Sequence, residues 1–295
     1  MNTLHVFWKI SWRSILVGLG YVIGLMMAGM IGAMFGQIPA AAGRESGLLP
    51  MLLASILLGA FLGPFASQLT LTRTQHFTLW GSLILFNLGS VAIEGAYFAP
   101  SLVPVPVPVL LAQQFLAAAG AAFVITQLFA AKGRSISWVS ALSMRPWYSW
   151  IGRFIVSAFS YLFFYFVFGG LNYALITKPY YEMHAGGLTV PAPEVVLIIE
   201  SIRGLLIVFS VLLFLLSVRG TRRQLMLKTG WLLFAIGGII PLLWQISFLP
   251  LFLLLASAIE IFFQNFLTGL VTAWLLGIEE RPVELAPKKI TCSHG

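Results

Sequence analysis

An apolar stretch from Glu194 to Val218 constrains the fold most, because a segment of membrane-spanning length carries two charged side chains well inside its ends. About 20 apolar residues cross the hydrocarbon core of a bilayer, and Glu200 and Arg203 fall in the first half of this stretch. An unpaired charge at that depth costs about 2.5–3.5 kcal/mol on insertion scales. We therefore expect both side chains to face protein or trapped water, with neighbouring helices supplying their partners.

The rest of the chain repeats this apolar pattern. Of its 295 residues, 59% are hydrophobic and only 9% are charged, whereas soluble domains carry about a quarter charged residues. The pattern predicts an all-α polytopic transmembrane bundle, with one domain over 1–277 and a polar, disordered cytoplasmic tail over 278–295. The first apolar stretch is longer than the core of a signal peptide, about 7–15 residues, so we expect it to be retained. The eight expected spans are 14–35, 48–71, 77–98, 110–131, 151–176, 194–218, 229–248 and 251–277.

The ionisable residues exclude several kinds of chemistry. All of the acidic residues are Glu, and Cys292 is the single cysteine. Asp-rich magnesium sites, cysteine zinc clusters and disulfide frameworks therefore lack their ligands, and we predict neither a metal nor a cofactor. The nucleophile elbow GxSxG and the zinc motif HExxH do not occur in the sequence.

The distribution of basic residues predicts the orientation. Eight spans place both termini on one side, and almost all Lys and Arg residues outside the spans fall on that side, here called the basic side. Only Arg44 and Lys178 fall on the opposite side. By the positive-inside rule the basic side, with both termini, is cytoplasmic, and we expect a cell membrane, with a bacterial inner membrane favoured. The residues assigned to the basic side are Lys9, Arg13, Arg73, Lys132, Arg134, Arg145, Arg153, Arg219, Arg222, Arg223, Lys228, Arg281, Lys288 and Lys289.

Polar residues at similar depth predict a site near the membrane midplane. At about 1.5 Å per residue, Arg203 and Glu260 lie roughly 13 and 15 Å into their spans from the same side. Gln264 follows Glu260 by one helical turn, with Asn265 beside it, and Glu200 precedes Arg203 on the same helix. One interpretation is that Arg203 is merely neutralised by Glu200 or Glu260. The other is that these five residues surround a substrate or proton site.

The remaining polar candidates are one acidic residue near a span end and the residues of one loop. Glu94 lies about one turn from the end of its span, so we expect it to reach interfacial water. The loop 177–193 on the opposite side carries the most varied set of functional groups, and is a candidate for ligand gating or partner binding. Its candidate residues are Tyr180, Tyr181, Glu182 and His184.

The connection 132–150 interleaves basic and aromatic residues. This composition next to a span is typical of a segment lying in the headgroup region against anionic lipid. No nucleic-acid-binding motif accompanies it, so membrane lipids are the expected partner and nucleic acid is not. The lipid-interface candidates are Trp138, Arg145, Trp147 and Trp150.

A stripe of small residues follows the first span at every fourth position. Such spacing allows another backbone to approach closely. Both close packing within the bundle and a homodimer face, or contact with another membrane protein, fit this pattern. The stripe consists of Gly20, Gly24, Ala28, Gly32 and Gly36.

Three classes of function fit these features. A transporter or permease suits the polar midplane and the even number of spans, although the sequence shows no clear repeat between its halves; a parallel repeat stays possible. The first alternative is a non-catalytic membrane subunit or assembly factor. The second is an intramembrane enzyme acting on a lipid-like substrate, for which the sequence supplies no nucleophile beside Glu260.

Overall fold

The structure, a computed structural model, describes residues 3–36, 47–100, 105–130 and 137–279, and these residues form helices and connections without a strand. All helices except the short α5 are long and apolar enough to cross a membrane, which confirms the predicted all-α bundle of eight spans. The helices are α1 (Thr3–Met34), α2 (Leu48–Gln68), α3 (Arg73–Phe98), α4 (Val107–Phe129), α5 (Trp138–Leu142), α6 (Trp147–Glu182), α7 (Pro193–Ser217), α8 (Arg222–Gln245) and α9 (Leu251–Leu276).

Two helix boundaries differ from the sequence prediction. Helix α4 begins at Val107, three residues before the expected start of the span 110–131. Pro108 falls in its first turn, where the missing N–H has no intrahelical partner to lose. Helix α6 continues to Glu182 through two π-helical segments, Tyr165–Gly169 and Tyr173–Thr177. Of the predicted tail, residues 280–295 lie outside the described residues.

The spans pack in the same order in both halves of the chain. In the first half α1 contacts α2 and α4, and α4 contacts α3; in the second half α6 contacts α7 and α9, and α9 contacts α8. The two halves meet where α3 packs on α7 and where the end of α8 packs on α2. This order indicates a parallel repeat with an approximate two-fold relation, so the halves are more alike than the sequence analysis recognised.

The helix starts repeat as well. Helices α3 and α8 both begin with a capping box, formed by Thr72 with Gln75 and by Thr221 with Gln224. In each case the Thr hydroxyl accepts from the Gln backbone N–H while the Gln side chain accepts from the Thr backbone N–H. The same spacing along the chain separates Thr72 from Thr221 and Gln75 from Gln224, which supports the repeat.

Two small residues of the first span lie where helices cross closely. A Cβ on Gly20 meets the Gly120 carbonyl oxygen at 2.9 Å, and one on Gly24 comes still closer to the Leu116 carbonyl oxygen. Both positions therefore lie against α4 within the bundle. Ala28 and Gly32 are buried inside the protein as well, so Gly36 is the only exposed member of the stripe predicted as a homodimer face.

Candidate functional site

A buried ion cluster forms around Arg203 in the half of the bundle nearer the opposite side. The Arg203 Nη1 atom lies 2.8 Å from Glu94 Oε1 and 2.9 Å from Glu200 Oε2. Arg203 is 5% exposed and Glu200 is fully buried. Tyr161 donates its hydroxyl to Glu200 Oε2 at 2.8 Å, and its ring lies 5.6 Å from the guanidinium carbon. The guanidinium therefore has two carboxylate partners and an aromatic neighbour inside the protein, as its depth requires.

Glu94 is the member that sequence reasoning missed. It was expected to reach interfacial water, but its carboxylate contacts Arg203 and only 27% of its side chain is exposed. Because Glu94 lies on α3 and Arg203 on α7, this ion pair joins the two halves of the repeat. The sequence did contain a signal for this pair. Glu94 lies about one turn inside its span, which is within reach of a long Arg side chain on a neighbouring helix.

Glu260 belongs to a neighbouring hydrogen-bonded group instead of pairing directly with Arg203. It accepts from Asn172 Nδ2 on α6 and from Gln264 Nε2 at 2.7 Å. A Cβ on Gly169, in the first π-helical segment of α6, meets Glu260 Oε1 at 3.0 Å. Of the two partners expected for Arg203, Glu200 therefore makes the contact, and Glu260 instead contacts Asn172, a residue that the sequence analysis did not include.

Buried amides form a second group on the other face of α9. Asn87 Nδ2 donates to Ser210 Oγ at 2.8 Å, joining α3 to α7 again. Asn87 Oδ1 and both side-chain polar atoms of Asn265 have no hydrogen-bond partner among the described residues. A Cβ on Gly237, in the π-helical segment Ala235–Ile239 of α8, meets Asn87 Oδ1 at 2.8 Å and Asn265 Nδ2 at 2.9 Å. Unpaired buried amide atoms are costly unless water or a ligand reaches them, so this group favours a wet polar layer.

The two polar groups are arranged in the same way, with polar side chains of α9 packed against a glycine in a π-helical segment. On α9, Glu260 and Gln264 face the π-helical segment of α6, while Asn265 faces that of α8. In each contact a glycine provides the space for the polar side chain. Because π-helical segments occur often at functional sites, the middle of α9 is the strongest candidate for ligand contact.

A cavity of about 290 Å³ lies on the basic side, between the end of α2 and the end of α7. Three contacts follow one another along the interface between α3 and α7, starting at the cavity. Phe214 packs near Trp80, Ser210 is hydrogen-bonded to Asn87, and Arg203 pairs with Glu94. From Ser217 at the cavity to Arg203 is about 21 Å at 1.5 Å per residue. The cavity and the ion cluster therefore lie at different ends of the same interface between the halves.

The candidate loop on the opposite side is largely helical. Tyr180, Tyr181 and Glu182 form the last turn of α6, where Glu182 lies 3.7 Å from Lys178 in an exposed ion pair. The Tyr181 ring packs against Tyr173, with the ring centroids 5.7 Å apart. His184 follows in a left-handed conformation, with φ of 50°, and its Nδ1 lies 3.2 Å from the Leu188 carbonyl oxygen.

The four lipid-interface candidates separate into one exposed residue and three that also hold helices together. Trp147 is 73% exposed. Trp138 donates to Ser217 Oγ at 2.8 Å, and Trp150 donates to the Leu142 carbonyl at 2.8 Å.

Arg145 caps the end of α9. It donates to the Leu275 and Gly277 carbonyls at 3.0 and 2.9 Å, and it lies over the Trp150 ring. Burial lowers the pKa of Arg145, and nearby Arg153 and Arg222 lower it further. A guanidinium nevertheless stays charged at neutral pH, so it compensates the negative end of the helix dipole.

No protein-family model matches the sequence, and searches of curated proteins and of solved structures return no match. Among the described residues there is no group of three or more His, Cys, Asp or Glu side chains arranged to hold a metal ion.

Proposed function

We propose that the protein is a multi-pass membrane transporter or permease, in which the two halves of the repeat form the transport path between them. The single observation that carries this proposal is the excess of buried and half-buried carboxylates near one guanidinium. Glu94 and Glu200 both contact Arg203, whereas Glu260 lies in the neighbouring hydrogen-bonded group and contacts only neutral amides. The three carboxylates, when ionised, carry more negative charge than the one guanidinium neutralises.

The charge excess favours a cationic companion. An uncompensated buried carboxylate costs several kcal/mol, and proteins avoid this cost by protonation or by binding a cation. Glu260 is the best placed to take the proton or cation, since its carboxylate contacts neutral amides while Glu94 and Glu200 already contact Arg203. In the proposed mechanism, occupancy of Glu260 changes the charge balance that holds the ion pair between the halves.

The arrangement of the halves supports the same proposal. Parallel repeats with a site at their interface are a common transporter design, in which one half rocks against the other. The Glu94–Arg203 pair joins the halves toward the opposite side, and a cavity lies between them on the basic side. We assign this conformation as the one in which the transport path is open on the basic side and closed by the ion pair on the other.

Reconstituted protein on a solid-supported membrane tests this function. Jumps in proton, sodium or potassium concentration are expected to displace charge in wild-type proteoliposomes for at least one of these cations. Glu260→Gln is expected to remove that current, whereas Glu182→Gln is the control because Glu182 is exposed and outside the cluster.

Two results would reject the proposal. One is a wild-type signal no larger than that of protein-free liposomes for all three cations. The other is a current that Glu260→Gln and Glu182→Gln leave equally unchanged. A silent protein that copurifies with a stoichiometric membrane partner after mild extraction would favour the membrane-subunit alternative instead.

A further inference from the structure

The cavity on the basic side is built from matching positions of the two halves. Phe65 of α2 and Phe214 of α7 meet edge to face at its apolar wall, with ring centroids 5.7 Å apart. Leu69 and Val218, the residues that follow these two helices, also line it. The same spacing along the chain separates Phe65 from Phe214 and Leu69 from Val218. The cavity therefore lies on the approximate two-fold axis, where a path between the halves begins.

The two halves contribute unequally to the charge of this cavity. Arg219 and Lys228, both from the second half, line it beside Gln68 and Thr70 from the first. The Arg219 guanidinium donates to the Leu216 carbonyl at 2.9 Å, and Lys228 Nζ lies 3.3 Å from Gln68 Oε1.

Neither cation forms an ion pair with a carboxylate in the described part of the chain. Both are partly buried, so solvent screens their charge less than it screens that of a fully exposed side chain. The cavity thus presents positive charge at its rim and aromatic surface on its wall.

We propose that this cavity binds an organic anion, a molecule with one carboxylate or phosphate group attached to an apolar body. The anionic group lies between Arg219 and Lys228, and the apolar body packs against Phe65 and Phe214. At about 290 Å³ the cavity is near the lower size limit of small-molecule pockets, about 300 Å³, which fits a single ring or a short chain. Both a soluble metabolite and an anionic lipid headgroup have this chemistry.

This inference rests on the proposed function where it calls the anion a substrate, but binding itself does not depend on transport. If both proposals hold, the anion enters from the basic side while a proton or cation occupies Glu260, and the two charges cross together. Binding at the cavity is expected to survive Glu260→Gln, because that residue lies outside the cavity lining. A binding assay therefore tests the cavity even when flux is absent.

Equilibrium binding to the purified full-length protein in detergent is the direct test. The probes are indole-3-acetate as an aromatic carboxylate, dihexanoyl phosphatidylglycerol as an anionic lipid, inorganic phosphate as an anion without an apolar body, and tryptamine as the cationic counterpart of the first. Arg219→Gln and Lys228→Gln are each expected to weaken binding of the organic anion about fivefold, the effect of one cation near a membrane surface. Arg223→Gln is the matched control, because it removes an equal charge from the same helix as Lys228 at an exposed position outside the cavity.

A second variant keeps both charges. Thr70→Trp places an indole at the rim and is expected to abolish binding while leaving the protein folded, since the Thr70 side chain is exposed and lies outside the helices. Binding of indole-3-acetate alone identifies a soluble anion, and binding of dihexanoyl phosphatidylglycerol alone identifies a lipid; either supports the inference. It is overturned if tryptamine binds as well as indole-3-acetate, if phosphate binds alone, or if neither organic anion binds. Equal losses in Arg223→Gln and Arg219→Gln, or unchanged binding in Thr70→Trp, also overturn it.

Discussion

Removing the guanidinium of Arg203 is expected to destabilise the fold far more than removing either of its carboxylate partners. Arg203→Met preserves the length of the side chain but leaves Glu200 fully buried, and Glu94 mostly buried, without a cation. Breaking a buried pair in this way costs about 3–5 kcal/mol. Because 27% of the Glu94 side chain is exposed, water screens part of its charge and the lower end of that range applies.

Removing one carboxylate is expected to cost much less stability than removing the guanidinium. Glu94→Gln and Glu200→Gln each leave Arg203 with one carboxylate, so the remaining pair is neutral. In Glu200→Gln the side-chain amide oxygen still accepts from Tyr161, and the net cost of one altered hydrogen bond is about 1 kcal/mol. Combining Arg203→Met with both Gln substitutions removes the three charges of the ion cluster around Arg203, and most of the loss caused by Arg203→Met alone is expected to be recovered.

Reversible unfolding in mixed lipid and detergent micelles measures these differences. The mole fraction of sodium dodecyl sulfate is raised while tryptophan fluorescence reports folding. Lys178→Met is the control, because it removes the cation of an exposed ion pair with 54% and 62% of its side chains accessible, for which about 0–1 kcal/mol is expected. The reasoning fails if Arg203→Met costs no more than Lys178→Met, or if the triple variant is no more stable than Arg203→Met.

Three further predictions concern packing and capping. Gly237→Ala is expected to cost about 1–3 kcal/mol in the same unfolding assay, since its Cβ lies within 3 Å of the Asn87 and Asn265 amides. Gly152→Ala, with no atom within 4 Å of its Cβ, is expected to be neutral or to stabilise by up to about 1 kcal/mol through helix propensity, and equal costs for the two Ala variants would refute the packing argument. Arg145→Gln is expected to cost about 1.5–3 kcal/mol and to speed amide hydrogen exchange at the end of α9; unchanged exchange there would contradict its capping role.

The sequence predicted the bundle well because its signal is one-dimensional. Long apolar runs bounded by basic residues identify helices whatever their neighbours are, and eight such helices are present. The burial of Glu200 and Arg203 also followed from cost alone, since no lipid-facing position tolerates such charges cheaply. The extension of α6 to Glu182 was harder to anticipate, because Pro179 falls in a new helical turn, where proline is tolerated.

Partner choice and the repeat needed three-dimensional information. Depth along a helix does not specify rotation about its axis, so Glu260 matched Arg203 in depth while Glu94 and Glu200 took the contacts. The repeat is preserved in helix order and in capping boxes, whereas the side chains diverged: α1 is rich in glycine and α6 in aromatic residues. The cavity was missed because its residues come from helix ends and connections that are far apart in the chain.

The central claim is that the carboxylates near Arg203, above all the half-buried Glu260, need a proton or cation inside the bundle, and infrared spectroscopy tests it most directly. The protein is reconstituted in lipid at neutral pH, in a buffer in which the only cation besides the proton is too large to enter the bundle. The carbonyl stretch of protonated carboxyl groups is then recorded. The account predicts such a band in the wild type and its loss in Glu260→Gln, with Glu182→Gln unchanged. A spectrum in which every carboxyl group is ionised, and which Glu260→Gln leaves as it was, would contradict it.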